Sequence, residues 1–239
     1  MKISILLPYK EDYSPSYAGA VSLFVKESTS ISKFKNDIKV YGNTNFKKRF
    51  KNYINLKSSD RRFISKNYYY VKNFTKLNRV KTSDIIEIHN RPIYLKYILE
   101  KNLSSNFVLY FHNDPLKMKG SETLKERLYI LENCTHIIFI SEWLKKQFFK
   151  DINEDKFINK FYIIPHSAKK NLINFSKKRN YIIFVGRLNS AKGYDLFGKT
   201  LIKILNKYKN WYAIVIGDEP REKITFNHDR FIIKGFKKH

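Results

Sequence analysis

Cysteine is almost absent: Cys134 is the single one in 239 residues. No intrachain disulfide can form, which favours a reducing compartment and leaves Cys134 as an expected core residue. Long apolar runs are missing as well. The N-terminus, MKISILLPYKEDY, holds only five apolar residues before Pro8 and then turns charged, too short for a signal-peptide core. Nothing approaches the ~18 apolar residues that span a bilayer, so the expectation is a chain that is soluble or attached peripherally. Acids are scarce, 21 against 47 Lys and Arg, and the net charge is +26. Such a balance implies an anionic partner: a membrane surface, a nucleic acid or a phosphorylated substrate. The joint abundance of Lys, Asn and Ile is also what AT-rich coding produces without selection for binding, and that origin of the charge stays open. No GxGxxG follows Pro8 or Val185, which disfavours an NAD(P)-dependent enzyme, because the pyrophosphate turn needs those glycines. No second His or Cys lies at ligand spacing beside His89 or His112, so neither reads as a metal ligand. An obvious pair of catalytic carboxylates is lacking too.

What is present is ample core material, 43% apolar and 16% aromatic residues. Short runs rich in β-branched and aromatic residues cover Ile3 to Pro8, Ile38 to Tyr41, Asp84 to His89, Phe107 to His112, His136 to Ile140 and Phe161 to Pro165. Amphipathic stretches between them predict helices starting near Gly19, Pro92, Ser121 and Ser141, with the two serines as N-caps and Trp143 packed in the core. Strands alternating with helices imply right-handed βαβ units and a parallel sheet, an α/β fold with a Rossmann-like domain over residues 1–170. The polar, basic stretch Ala168 to Asn180 reads as a linker. A second series occupies residues 180–239: strand Tyr181 to Val185, helix Tyr194 to Tyr208, strands Trp211 to Ile216 and Phe231 to Lys234. This is about half of a nucleotide-binding domain, so the second Rossmann-like domain is expected to be incomplete.

The stretch YIIFVGRLNSAKGY, Tyr181 to Tyr194, carries the most information. A strand ends in Gly186, a short loop holds Arg187 and Lys192, and a helix begins after Gly193. Backbone N–H groups and a helix N-terminus there suit a phosphate. The planar fork of Arg187 and the point charge of Lys192 complete a site for a diphosphate, if they are more than two further cations among many.

VGRLNSAKG in this setting resembles the donor-diphosphate motif of the retaining, GT-B-type glycosyltransferases of family 4. MKGSETLKERLYILENCTHIIFISEW resembles bacterial members of the same family, of the lipopolysaccharide and polysaccharide type. The resemblance implies a GT-B-like fold and transfer of a hexosyl-type sugar, with retention, from a UDP- or GDP-sugar to a lipid-linked or polysaccharide acceptor. It implies neither metal nor other cofactor, and a cytoplasmic enzyme peripheral to the inner face of the membrane. Arg187, Lys192 and Gly193 would hold the donor diphosphate. Ala18 and Gly19 stand where the family has a Gly-Gly beneath the phosphates, although Gly19 also reads simply as a helix-start glycine. His112 takes the place of the cleft histidine that approaches the donor sugar, the catalytic position. His89, Asn90, Arg91, Asn113 and Lys119 fall on the acceptor side, and Gly120 and Arg127 could touch the acceptor, although a helical Arg127 also reads as a solvated charge. Both histidines also read as strand-end caps bonded to backbone. Complete members carry a glutamate pair eight positions apart in the second domain; after Lys192 this chain has only Glu219 and Glu222.

From Lys33 to Arg79 there are 14 Lys and Arg against two acids, interleaved with Phe50, Tyr53, Phe63, Tyr68, Tyr69, Tyr70 and Phe74. If these rings are exposed, they would insert into an anionic lipid surface or stack on single-stranded nucleic acid; a solvated face over core aromatics is the plainer alternative. An anionic membrane is the expected partner and nucleic acid is not. The rival reading is a basic nucleic-acid- or membrane-binding protein on a degenerate transferase fold.

Overall fold

The computed structural model describes residues 1–56, 65–101, 103–167, 178–219 and 222–237. Residues 168–177 of the expected linker Ala168 to Asn180, and Phe63, lie outside them. Two compact units divide the chain, Met1–Ala168 and Lys169–His239.

In the first unit seven strands form one parallel sheet. They are β1 (Ile3–Leu6), β2 (Ile38–Gly42), β3 (Tyr53–Asn55), β4 (Ile85–His89), β5 (Asn106–Phe111), β6 (His136–Phe139) and β7 (Phe161–Ile163). Their order is β3-β2-β1-β4-β5-β6-β7, every pair parallel. Connections are made by α1 (Ala20–Ile31), α2 (Lys66–Thr75), α3 (Asn78–Lys81), α4 (Ile93–Leu99), α5 (Leu124–Asn133) and α6 (Glu142–Phe148). The chain winds outward from β1 to β3 and then returns to β4 on the other side of β1. The β1/β4 boundary is therefore the topological switch point, where the strand ends leave a crevice open to ligands.

Alternation along the strands sorts the core into two layers. Leu6, Ile86, Ile88, Leu109 and Phe111 pack with Tyr70, Phe74, Leu95 and Phe148 on one face, and Ile3, Ile5, Leu7 and Val40 pack with Val21 and Val25 of α1 on the other. The aromatics of the basic segment belong to this packing. Tyr70 and Phe74 are completely buried, Tyr70 donating its hydroxyl to Leu7 O at 3.0 Å, and Phe50, Tyr53, Tyr68 and Tyr69 are partly covered. Among the described residues of Lys33–Arg79, then, no large aromatic protrudes to insert into lipid or stack on a base.

Three local expectations need correction. The N-cap of α5 is Thr123, not Ser121: Thr123 Oγ1 accepts from Glu126 N while Glu126 Oε2 accepts from Thr123 N at 3.0 Å, a reciprocal box that TxxE can form. The buried Ser121 instead donates to Pro115 O at 2.6 Å. Ser141 does cap α6, accepting from Leu144 N. Trp143 is exposed, because the core stripe of α6 is Leu144 and Phe148, four apart, and Trp143 lies off that stripe. Arg127 is neither solvated nor directed to a ligand. It is 3% exposed, and its Nη1 and Nη2 donate to Glu122 O (3.2 Å) and Lys150 O (2.8 Å).

The second unit is a three-stranded parallel sheet, order β10-β9-β8, made of β8 (Tyr181–Val185), β9 (Tyr212–Ile216) and β10 (Phe231–Ile233). One face is covered by α7 (Tyr194–Lys207), whose Tyr194, Leu201 and Leu205 pack on Ala213, Val215 and Phe231. Along the other face Tyr181, Ile183 and Val185 of β8 stay exposed, Val185 by 72%.

Arg127 yields a first test. Arg127→Ala removes two charge-assisted bonds from a buried guanidinium to backbone carbonyls and should cost about 3 kcal/mol in urea denaturation. A loss no larger than the ~0.5 kcal/mol of an ordinary surface substitution would show that the guanidinium is solvated after all.

Candidate functional site

Polar residues collect at the C-terminal edge of the seven-stranded sheet. Glu87 and His89, two apart on β4, share one face with Tyr110 of β5, which pairs with His89 in the ladder. The His89 ring stacks on Tyr110 at 4.7 Å. Asn90, held at φ 54°, donates its N–H to Tyr110 O and accepts with Oδ1 from both His112 N and Asn113 N at 3.2 Å. That clamp seats His112 just beyond β5.

A hydrogen-bonded chain results. Glu87 Oε1 lies 2.5 Å from His89 Nε2, His89 Nδ1 lies 2.9 Å from His112 Nε2, and His112 Nδ1 lies 2.8 Å from His166 Nε2. Phe24 of α1 stacks on His166 at 4.7 Å and meets His112 edge-on at 5.3 Å. His89 has no exposed surface, His112 is nearly buried, and His166 is exposed. Burial, with the other histidines beside it, lowers the His112 pKa to about 3, and burial also lowers that of His166. Both rings are thus neutral bases. His89 therefore reaches any acceptor only through His112, not by direct contact. Glu87 and His166 escape the sequence reading, though each left a signal. Glu87 interrupts an apolar strand two residues from His89, and His166 follows the last strand as His112 follows β5. Among the described residues no group of His, Cys, Asp and Glu could hold a metal ion.

Beside this chain, at the β1/β4 switch point, lies a cavity of about 360 Å³ lined by Tyr9, Asn67 and Asn90 together with Lys10, Lys66, Arg91, Lys117 and Lys119. Its lining includes no carboxylate. Arg91 and Lys119, expected on the acceptor side, line it together, whereas Asn113 is exposed at the start of the turn after β5 and is not among its lining residues. Gly120, at φ 96°, comes so close to α4 that a Cβ there would meet Ile93 N at 2.5 Å; its role is backbone packing. Gly19 is the N-cap of α1, but the Glu11 carboxylate already sits there, accepting from Ser22 N at 3.0 Å. A phosphate at that terminus would have to displace Glu11.

In the second unit the loop after β8 is pinned by polar side chains. Asn189 Oδ1 accepts from Lys192 N and its Nδ2 donates to Glu219 Oε2, both at 3.1 Å. Ser190 donates through N and Oγ to Glu222 Oε1. Gly193 takes φ 72°, which favours glycine, and opens α7. The N–H groups of Lys192, Gly193 and Tyr194 are all bonded within the loop, so the expected cradle of free backbone donors is largely used up. The charged groups the loop leaves available are side chains. Arg187 and Lys192 are exposed, and among the described residues neither side chain has a hydrogen-bond or ion-pair partner. Glu219 and Glu222, the two glutamates left after Lys192, scaffold this loop.

No protein-family model matches the chain. "Putative glycosyltransferase YtcC" of Bacillus subtilis (strain 168) is 22% identical over 170 residues, 62% of this chain and 42% of that protein. The chain thus spans less than half the length of this curated relative. Among solved structures, Anabaena HepE in complex with UDP-glucose matches with a TM-score of 0.69 at 13% identity, over 99% of this chain and 70% of its own. The lipopolysaccharide outer core galactosyltransferase WaaB matches at 0.58 and 16%, over 99% and 68%. The UDP-GlcNAc 2-epimerase of Methanocaldococcus jannaschii matches at 0.54 and 14%, over 92% and 66%. These likenesses show the fold, an α/β architecture of the GT-B type with two parallel sheets.

The neutral His112 has a consequence for stability. An unfolded histidine takes up a proton below about 6.5, whereas native His112 does so only near 3. Between those values the unfolded chain binds the extra proton, so His112 should make the native state lose up to ~1.4 kcal/mol per pH unit as pH falls. The matching observation is an imidazole of His112 that stays neutral in a ¹⁵N titration down to pH 5. Titration near 6.5 would refute the burial argument.

Proposed function

We propose that the chain carries the donor and acceptor surfaces of a retaining, family 4-type glycosyltransferase that moves a hexosyl-type sugar from a nucleoside-diphosphate donor to a lipid-linked or polysaccharide acceptor. The observation that carries this reading is the pair of unpartnered cations, Arg187 and Lys192, on a loop pinned by Asn189 at the C-terminal end of β8. The UDP-glucose bound by HepE, and the likeness to the galactosyltransferase WaaB, support a nucleotide sugar as the donor. UDP and GDP donors both fit, since the contacts named here are to the diphosphate.

Chemically, departure of a nucleoside diphosphate leaves charge on the phosphate oxygens, and the Arg187 fork and the Lys192 ammonium meet it. Each contact made in the transition state is worth roughly 3 kcal/mol, by analogy with oxyanion-hole donors. In a retaining reaction that uses the leaving phosphate as the base for the attacking hydroxyl, no carboxylate pair is needed, and the family resemblance calls for no metal or other cofactor. By the family resemblance His112 holds the position beside the donor sugar, with both ring nitrogens bonded to His89 and His166. The cationic cavity at the switch point suits an acceptor that carries phosphate, as lipid-linked saccharides do. A lipid acceptor would place the enzyme in the cytoplasm, at the inner face of the membrane. There the basic segment Lys33–Arg79 would adsorb to anionic lipid by charge, at about 1 kcal/mol per Lys or Arg near the surface. Among the described residues no helix is long and apolar enough to cross a membrane.

Titration with UDP, GDP and UDP-glucose tests the donor site. A ligand at a hundred times its Kd stabilises the native state by ~2.7 kcal/mol, and Arg187→Ala and Lys192→Ala should each abolish most of that gain. Stabilisation that survives both substitutions would refute the assignment. Equal stabilisation by single-stranded DNA, with none by nucleotides, would favour a polyanion-binding protein. Interconversion of UDP-sugars without transfer would point to an epimerase.

A further inference from the structure

We propose that His166, and not His112, is the histidine that offers a hydrogen-bond acceptor to the ligand, with Glu87, His89 and His112 acting behind it as positioning residues. Hydrogens are fixed one after another along the row of rings. Glu87 is a carboxylate and can only accept, so His89 Nε2, 2.5 Å away, carries a hydrogen. His89 has no exposed surface, and in the neutral tautomer that keeps its hydrogen on Nε2, toward Glu87, it leaves Nδ1 bare. A bare Nδ1 at 2.9 Å from His112 Nε2 requires the hydrogen to be on His112 Nε2. His112 then has a bare Nδ1, which accepts from His166 Nε2–H at 2.8 Å. Each ring passes the same polarity to the next. The chain ends at His166 Nδ1, a lone pair on an exposed ring that Phe24 steadies by stacking at 4.7 Å.

His112 has both nitrogens engaged within this chain and has none left for a sugar hydroxyl. His166 does. The group it recognises is a hydroxyl donor, the kind that saccharides present in abundance. Identifying that ligand as a saccharide rests on the transferase reading; the tautomer lock itself does not, and the two can fail separately.

The test uses the full chain with ¹⁵N-labelled histidine, reading each ring's tautomer from long-range ¹H–¹⁵N correlations. The expected result is Nε2–H for His89, His112 and His166 alike. Glu87→Leu should release the lock, moving His112 and His166 toward a mixture of tautomers. His89→Phe, which keeps an aromatic ring on Tyr110, should do the same and decides the matter if Glu87→Leu does not fold. A wild-type His166 protonated at Nδ1, or a His166 unchanged in a folded variant, overturns the lock. With UDP-glucose as probe, the His166 Nδ1 resonance should shift on binding. Binding that leaves it unmoved overturns the ligand contact, and no binding at all counts against the transferase reading and the contact together while the tautomers still judge the lock.

Discussion

Beyond His89 and Phe111 the ladder between β4 and β5 has no further strand residues to join, and the Asn90 side chain takes over. One oxygen accepts two backbone N–H groups from the neighbouring turn, while the Asn90 N–H still bonds to Tyr110 O. Asparagine is among the few residues that tolerate a left-handed backbone and carry an acceptor at that reach. Without that clamp the His112 ring would have no fixed height over the sheet. The alignment of His89, His112 and His166 thus depends on a residue that touches none of the ring nitrogens.

Parallel strand direction does the rest. Because all strands of the first sheet run the same way, residues just past β1, β4, β5 and β7 come to one edge. Tyr9 and Lys10, Asn90 and Arg91, His112, and His166 are far apart in sequence and meet there for that reason. The edge holds two chemically distinct regions: a cavity lined by cations, and a histidine chain in which burial keeps His112 and His166 neutral. Neutral rings beside concentrated positive charge avoid adding to it, and an anionic group held by Lys119 or Arg91 would meet no histidine of opposite charge.

Much of the scaffold was legible in the residues. The long strands stand out because Ile, Val and Phe cluster in short runs, and the loop Gly186–Gly193 because Gly and paired cations break a strand-to-helix passage. β3 and α2 are hidden by composition: Tyr53, Ile54, Tyr70, Val71 and Phe74 lie among lysines and asparagines, so the residues leave open whether a basic, aromatic surface or a core forms there. Trp143 and Arg127 show the limits of residue type. A helix's rotational phase exposed the first, and backbone carbonyls five and 23 residues away hold the second. The Glu87–His89 spacing was a readable one-face pattern, but the link from His112 to His166 spans 54 residues and no local period encodes it.

The bare face of β8 changes how copies of the chain should meet. Tyr181, Ile183 and Val185 form an apolar strip on a short parallel sheet, a surface that in a neutral protein would draw molecules together. Here each molecule carries a charge of +26, and mutual repulsion across a Debye length of about 8 Å at physiological salt opposes that contact. Solubility is then a balance between long-range repulsion and short-range adhesion. Added salt, or polyanions that cancel the charge, would tip it toward self-association through this strip, with no change in the fold.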